Sequence, residues 1–216
     1  MLLTLAVAAL AFLQGAKITF AFENPQLQPA AYTLEINEDG TGHFRSTPGP
    51  ASSGVDTVAD IIAPGPLDRE IQIDEPLRSS LFSAARTHKF FAIACEPEHS
   101  KVAFTGKKTF SYSGPDGQGS CSYNYSQNQA LNQLAEQMIA VANTLEIGRR
   151  LIIEHEHSRL ALDGELELLQ QAVKNGRALE IENIAPILQS IANDESVMLR
   201  ARKRAAGLVT TGSSKS

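Results

Sequence analysis

The stretch YTLEINEDGTGHFR, residues 32–45, indicates the fold class of the first half of this chain. Three apolar residues, Tyr32, Leu34 and Ile36, alternate with polar ones, which is the period of a strand with one buried face. Asp39-Gly40 is a typical tight-turn sequence, and a second extended stretch follows it. These residues therefore predict a β-hairpin.

The segment after this hairpin predicts a third strand and a helix. Residues 46–66 are rich in Pro, Gly and Ser and predict an exposed loop, whereas residues 69–73 predict a strand. Asp74 is a suitable N-cap and Pro76 suits a first helical turn. Four apolar residues then recur on one helical face: Leu77, Leu81, Phe82 and Ala85. We expect this helix to end before Phe90-Phe91.

The same order of elements is predicted a second time further along the chain. Strands are expected at residues 102–105, 108–113 and 120–125, with turns between them, and a helix from about residue 127. Two βββα units that share one antiparallel sheet would place both helices on the same face. The predicted class is therefore α+β.

Composition changes near Ser126, because the rest of the chain is dominated by residues that favour helices. Two stretches of matched length, residues 150–174 and 183–207, predict a long antiparallel helical hairpin, with coiled-coil spacing of the apolar residues. The predicted organisation is a signal peptide over 1–21, an α+β domain over 30–147, a hairpin over 148–209 and a disordered tail over 210–216.

The apolar run at residues 2–13 predicts an export signal. It is shorter than the roughly 20 residues that a membrane-spanning helix needs. We expect cleavage near residues 16–21. The mature protein would then be periplasmic or secreted, with no membrane span.

Two cysteines, Cys95 and Cys121, make up the whole cysteine content of the chain. In an exported protein such a pair predicts a structural disulfide. The alternative, a redox-active pair, usually has close spacing such as Cys-x-x-Cys, which these residues lack.

The composition also bears on the class of ligand. A net charge of −5 argues against a nucleic-acid partner, because such binders are usually basic. The chain has no Trp, and only 6% of its residues are aromatic, which argues against a surface that stacks sugars. No cofactor is expected.

The histidines give no strong sign of an enzyme or a metal site. His155 and His157 are two residues apart, so on a helix they point in different directions and cannot share a metal. The chain has no Gly-x-Ser-x-Gly motif, and residues 114–119 are best interpreted as a β-turn and not as a phosphate loop. We therefore predict no catalytic residue; a hydrolase with His88 or His43 as general base is the alternative.

Four segments together resemble a family of uncharacterised secreted bacterial proteins. They are the strand at residues 32–36, the Asp39-Gly40-Thr41-Gly42 turn, the helix that leads to Phe90-Phe91, and residues 101–125. The shared unit is a strand, a DG turn, two further strands and a helix that ends in Phe-Phe, and the resemblance covers about residues 30–147. It implies export and this fold, and it implies no particular activity.

The sequence thus predicts a non-catalytic binding or protein-interaction module in the periplasm or outside the cell. Tyr112, Tyr123 and Tyr125 are the predicted interaction surface. One alternative is an inhibitor-like protein that binds its target through the sheet face. The helical hairpin offers either a surface for a partner or for self-association, or a cover that folds back to complete the core.

Overall fold

The computed structural model describes residues 15–50, 65–97 and 102–213. They form an α+β structure with a six-stranded antiparallel sheet and five α-helices in the described part. In chain order the elements are β1 (Lys17–Glu23), β2 (Ala31–Asn37), β3 (Thr41–Thr47), β4 (Leu67–Gln72), α1 (Glu75–Thr87), β5 (Lys107–Gly114), β6 (Gly117–Tyr123), α2 (Gln129–His157), α3 (Leu162–Lys174), α4 (Ala185–Asn193) and α5 (Leu199–Ser213). Short 3-10 turns lie at Lys89–Phe91 and Ile181–Ile184.

The strand order is β4-β3-β2-β1-β5-β6, and every neighbouring pair is antiparallel. The predicted hairpin is confirmed as β2 and β3, with Leu34 paired to Phe44. Gly40 occupies the turn at a φ of 92°, a conformation that glycine adopts without steric cost.

Strand β1 lies at the centre of the sheet, between β2 and β5. Its apolar side chains, Ile18, Phe20 and Phe22, are buried against the helices. Cleavage inside residues 16–21 would remove part of this central strand, so the predicted cleavage range conflicts with the fold. The predicted export signal itself, residues 2–13, lies outside the described residues.

The predicted second βββα unit is wrong in its first strand. Residues 102–105 form no strand, and the position beside β5 is taken by β1. The physical reason is that this segment is bonded to a side chain, that of Asn124, and not to a neighbouring strand. The sheet therefore consists of four strands that precede α1 and two that precede α2.

All the large apolar side chains of the sheet point to one face, where α1 and the first half of α2 cover them. Asn128 caps α2, since its side chain accepts hydrogen bonds from the backbone N–H groups of Ala130 and Leu131. The second half of α2 packs with α3, α4 and α5 in a separate apolar cluster. Helix α2 thus contributes side chains to both apolar clusters.

The C-terminal part of the chain is helical as predicted, but neither of the two predicted stretches, residues 150–174 and 183–207, is one continuous helix. Helix α2 runs unbroken across the predicted boundary at residue 148, and a turn at residues 158–161 separates it from α3. A second break at residues 194–198 separates α4 from α5, where Asp194 accepts hydrogen bonds from the backbone N–H and the hydroxyl of Ser196. Such an Asx turn competes with helical hydrogen bonding.

The predicted tail is also partly wrong, because residues 210–213 are the last residues of α5; residues 214–216 lie outside the described part. Among the helices that the structure describes, none is both long and apolar enough to cross a membrane.

The C-terminal helices also protect one edge of the sheet. The Asn183 side chain accepts a 2.8 Å hydrogen bond from the backbone N–H of Gln72 and donates one of 2.8 Å to its carbonyl. Arg69 donates a 2.6 Å hydrogen bond to the Asn183 carbonyl. These bonds satisfy backbone groups at the end of β4, which edge strands otherwise leave open to pairing with other chains.

Candidate functional site

The two cysteines form the predicted disulfide, and their Cα atoms are 5.9 Å apart. Both residues are buried, which fits a structural bond. The bond joins the segment after α1 to β6. An intramolecular disulfide indicates an oxidising environment outside the cytoplasm.

The segment that this bond anchors crosses the helix-facing side of β6. Its residues Lys89, Phe90 and Phe91 all have positive φ angles between 52° and 65°. Three such residues in a row cost roughly 1–2 kcal/mol each. The Phe90 ring packs on Tyr112 and the Phe91 ring stacks on Phe110, with ring centres 4.9 and 5.0 Å apart. These contacts and the disulfide hold the strained turn in place.

The opposite side of the sheet, which we call the open face, is not covered by any described helix. Its side chains belong to the residues that alternate with the buried ones, and almost all are polar. Three lateral rows run from β4 to β6: Gln72, Thr41, Asn37, Lys17, Ser113 and Gln118; Glu70, His43, Glu35, Thr19, Ser111 and Ser120; Asp68, Arg45, Thr33, Ala21, Thr109 and Ser122.

The half of the open face formed by β1 to β4 carries a network of ion pairs. Glu35 lies at its centre, 3.0 Å from Lys17 Nζ and 3.1 Å from Arg45 Nη1. The hydrogen bond from Lys17 is the main cause of a lowered pKa at Glu35, and Arg45 adds to it. Asp68 pairs with both Arg45 and His43. The charges of this half therefore largely neutralise one another.

The half of the open face near β5 and β6 carries short hydroxyl side chains. Thr109 and Ser122 are joined by a 2.8 Å hydrogen bond, and Ser111 and Ser120 by one of 3.0 Å. Short side chains leave this half flat and polar. A flat face with little side-chain freedom loses little conformational entropy when a partner covers it.

An exposed apolar group, which we call the sheet-end patch, adjoins this hydroxyl half. It consists of Val102, Phe104 and Tyr125. Asn124 holds the backbone around Phe104, because its side chain donates to the Ala103 carbonyl at 3.0 Å and accepts from the Thr105 N–H at 2.8 Å. Asn124 directly follows β6. Its side chain thus fixes residues 103–105 at the end of the sheet.

Of the three tyrosines predicted to form an interaction surface, only Tyr125 is exposed, with 41% of its surface accessible. Tyr112 and Tyr123 are 2% and 1% exposed, so the prediction that they contact a partner is wrong. They lie on the helix-facing side, where burial raises the pKa of both phenols, that of Tyr112 to about 12. Tyr112 Oη also donates a 2.5 Å hydrogen bond to Asp116, and Tyr123 Oη donates one of 3.2 Å to the Leu131 carbonyl.

Neither His43 nor His155 meets a nucleophile among the described residues. His43 Nε2 lies 2.8 Å from Asp68, while its Nδ1 is buried and makes no hydrogen bond within the described part. His155 Nε2 lies 2.8 Å from Asp194, and the Ser196 hydroxyl donates to the same carboxylate and not to the imidazole. A serine relay needs the hydroxyl on the histidine. The hydrolase alternative therefore gains no support from these two sites.

One cleft, of about 360 Å³, lies between α1 and the segment that precedes α4. At its side the carboxylates of Asp74, Glu180 and Glu182 come within 4.8 Å of one another, close enough to share a cation. Glu180 already has a structural role, since its Oε2 accepts a 2.8 Å hydrogen bond from the Asp74 N–H. His155 and His157 do not belong to this group.

Neither a family model nor a curated protein matches this chain. The site is therefore defined by geometry alone: the open face and the sheet-end patch beside it. Tyr125 was among the predicted interaction residues, whereas Phe104 and Asn124 were not. Residues 102–105 were predicted to be a strand because of their alternation. The large aromatic side chain of Phe104 was the feature of the sequence that could have marked this segment as a surface site.

Proposed function

We propose that this protein is a non-catalytic interaction module of the periplasm or the cell exterior, which binds a protein partner through the open face and the sheet-end patch. The observation that carries the proposal is that three exposed apolar residues lie at the end of β6, where the hydroxyl half of the open face ends. In the patch, Phe104 is 57% exposed and Tyr125 is 41% exposed.

This combination has the composition of a protein-binding surface. Interfaces are enriched in Tyr and Phe, and a few such residues carry most of the binding energy. Their effect is greatest when nearly neutral polar contacts around them exclude water. The hydroxyl half of the open face, with Thr109, Ser111, Ser120 and Ser122, supplies such contacts next to the patch.

The location outside the cytoplasm is supported by the Cys95–Cys121 bond. The inhibitor-like alternative uses the same surface and differs only in the nature of the partner, which would be an enzyme. A test of the surface therefore serves both versions of the proposal.

The first test is affinity capture from an extract of the exporting compartment, with the purified full chain immobilised. The double variant Phe104→Ser, Tyr125→Ser replaces the two aromatic residues of the patch, neither of which belongs to the buried core. Leu27→Ser is the matched control, because Leu27 is an exposed apolar residue outside the patch.

The proposal predicts at least one protein that binds the wild type and the control but not the double variant. Equal capture by all three forms would contradict the patch as the binding surface. Turnover of a generic ester or peptide substrate that is lost on substitution of His43 or His88 would favour the hydrolase instead.

A further inference from the structure

A small cavity of about 180 Å³ lies on the helix-facing side of the sheet, between the connection from β1 to β2 and the middle of α2. Its apolar walls include Phe22, Pro29, Ile139 and Ala142. Tyr32 of β2 also lines it, and the Phe22 and Tyr32 rings stack with their centres 5.2 Å apart. None of the residues that line the cavity belongs to the open face or to the sheet-end patch.

The hydroxyl of Tyr32 has no partner in this cavity wall. The residue is 8% exposed, and its hydroxyl makes no hydrogen bond to a residue of the described part, so burial alone raises the pKa of the phenol. The other two buried tyrosines, Tyr112 and Tyr123, both donate to protein acceptors. Burying a hydroxyl without a hydrogen bond is unfavourable. Such a group in a native structure calls for a partner that is not part of the chain.

The connection from β1 to β2 is held in place by hydrogen bonds, so the cavity is preformed. The Asn24 N–H donates to the Ala30 carbonyl at 2.7 Å. The Gln28 side-chain oxygen accepts from the Gly49 N–H. A preformed concave site with apolar walls and few polar groups is the usual form of a small-molecule site.

The charged side chains that line the cavity already have partners within the chain. Glu146 accepts hydrogen bonds from Ser46 and Arg149. Arg150 donates through Nε and Nη2 to Glu165. A charged ligand would lose its hydration here without gaining a free counter-charge, which is unfavourable. The cavity therefore favours a neutral ligand.

The volume restricts this ligand to a small molecule, because an apolar cavity of about 150 Å³ in another protein takes up benzene. We propose that the cavity binds a neutral molecule with one apolar ring and one carbonyl oxygen, which accepts a hydrogen bond from the Tyr32 hydroxyl. The ring packs among Phe22, Ile139 and Ala142. This inference does not rest on the proposed function, because it concerns the opposite side of the sheet.

Titration calorimetry of the full oxidised chain with acetophenone tests the proposal. Ethylbenzene has the same ring and nearly the same shape without the oxygen, and benzoate carries a charge instead. The variant Tyr32→Phe removes only the hydroxyl. Tyr123→Phe is the matched control, because it removes a buried hydroxyl that does not line the cavity. Ala142→Leu fills the cavity, and a circular dichroism melt verifies that each variant is folded.

We expect saturable binding of one acetophenone to the wild type and to Tyr123→Phe. Tyr32→Phe should weaken it about fivefold, as the loss of one hydrogen bond does, and leave ethylbenzene unaffected. Benzoate should not bind, and Ala142→Leu should abolish binding of both neutral probes. No saturable binding to the wild type would mean that the cavity holds water only and would overturn the proposal.

Equal acetophenone affinity in Tyr32→Phe and Tyr123→Phe would also overturn it, whatever the folding of Ala142→Leu. Capture of a protein partner by Tyr32→Phe should match capture by the wild type. A failure of the proposed function is therefore distinguishable from a failure of the cavity to bind its ligand.

Discussion

Ser46 in β3 donates a 2.6 Å hydrogen bond to Glu146 Oε1 in α2, although the two residues are 100 positions apart in the chain. Both are buried. The second carboxylate oxygen of Glu146 accepts a 2.8 Å bond from Arg149 Nε. This buried polar group joins the sheet to α2 close to the point where the helix passes from the sheet layer to the C-terminal layer.

Replacing Glu146 with Ala should destabilise the fold strongly, because it leaves the Arg149 guanidinium partly buried without its ion-pair partner. Breaking a buried pair in this way costs about 3 kcal/mol. Ser46→Ala removes one neutral donor and should cost about 1 kcal/mol. Urea unfolding of both variants measures the difference. Equal, small losses would show that the pair does not hold α2 on the sheet.

Loss of the disulfide should lower stability by about 3.5 kcal/mol, which is the value the chain-entropy model gives for a loop of this size. The Cys95–Cys121 bond spans 26 positions. The measurement is guanidinium unfolding of the wild type and of the double variant Cys95→Ser, Cys121→Ser, each with and without reductant. Reductant should destabilise the wild type alone. A stability that reductant leaves unchanged in both proteins would contradict a structural role.

Gly119→Ala should destabilise the protein by about 1–3 kcal/mol, the usual range for overpacking. A Cβ at this position would collide with the Phe90 carbonyl oxygen and lie 2.8 Å from Ala92 N. Gly164→Ala in α3 is the matched control, because it has open space around it and should stabilise the helix by about 0.5–1 kcal/mol. Thermal unfolding measures both, and opposite signs are expected.

Asp194 should contribute to stability at neutral pH and lose that contribution in acid. Hydrogen bonds from the Ser196 hydroxyl and N–H, and one from His155, lower its pKa in the folded state. A depressed folded pKa means that the stabilisation is present above the unfolded value of about 3.9 and is lost as pH falls below it. The difference in unfolding free energy between wild type and Asp194→Asn should therefore shrink between pH 5 and pH 2. A constant difference over that range would contradict this assignment.

Local patterns predicted the elements whose signals are complete within a few residues. The β2–β3 hairpin follows from alternation and Asp39-Gly40. The start of α1 was placed correctly by Pro76 and by Asp74, which occupies the N-cap position although its side chain makes no capping hydrogen bond. The disulfide followed from cysteine content together with the expectation of export, since only one pair is available. The first two predictions rest on short-range chemistry, and the third rests on composition.

Strand β1 was missed although Ile18, Phe20 and Phe22 alternate in the same way. The apolar run that precedes them predicted an export signal over residues 1–21. Most of β1 was therefore assigned to that signal and not to a strand. Alternation also grouped Cys121 with Tyr123 correctly, but it does not say which face of a sheet the helices cover. Tertiary packing decides which face is covered, and the helices cover the face that carries Tyr112 and Tyr123.

The breaks between α2 and α3 and between α4 and α5 carry no Pro or Gly, so composition alone predicted two continuous helices. The contacts that fix these breaks, such as those of Asp194 with His155 and Arg159, join residues that are distant in sequence. The sheet-end patch was missed for the same reason, because Asn124 holds residues 103–105 from about twenty positions away.

Site-specific photo-crosslinking in the native compartment shows whether the open face binds a protein partner. One crosslinker replaces Ser120, which is exposed on the open face, and the control replaces Ser190, which is exposed on α4. We expect a discrete heterologous adduct from position 120 that disappears in the Phe104→Ser, Tyr125→Ser background, and no such adduct from position 190. An adduct from position 190 alone, or none from position 120, would contradict it.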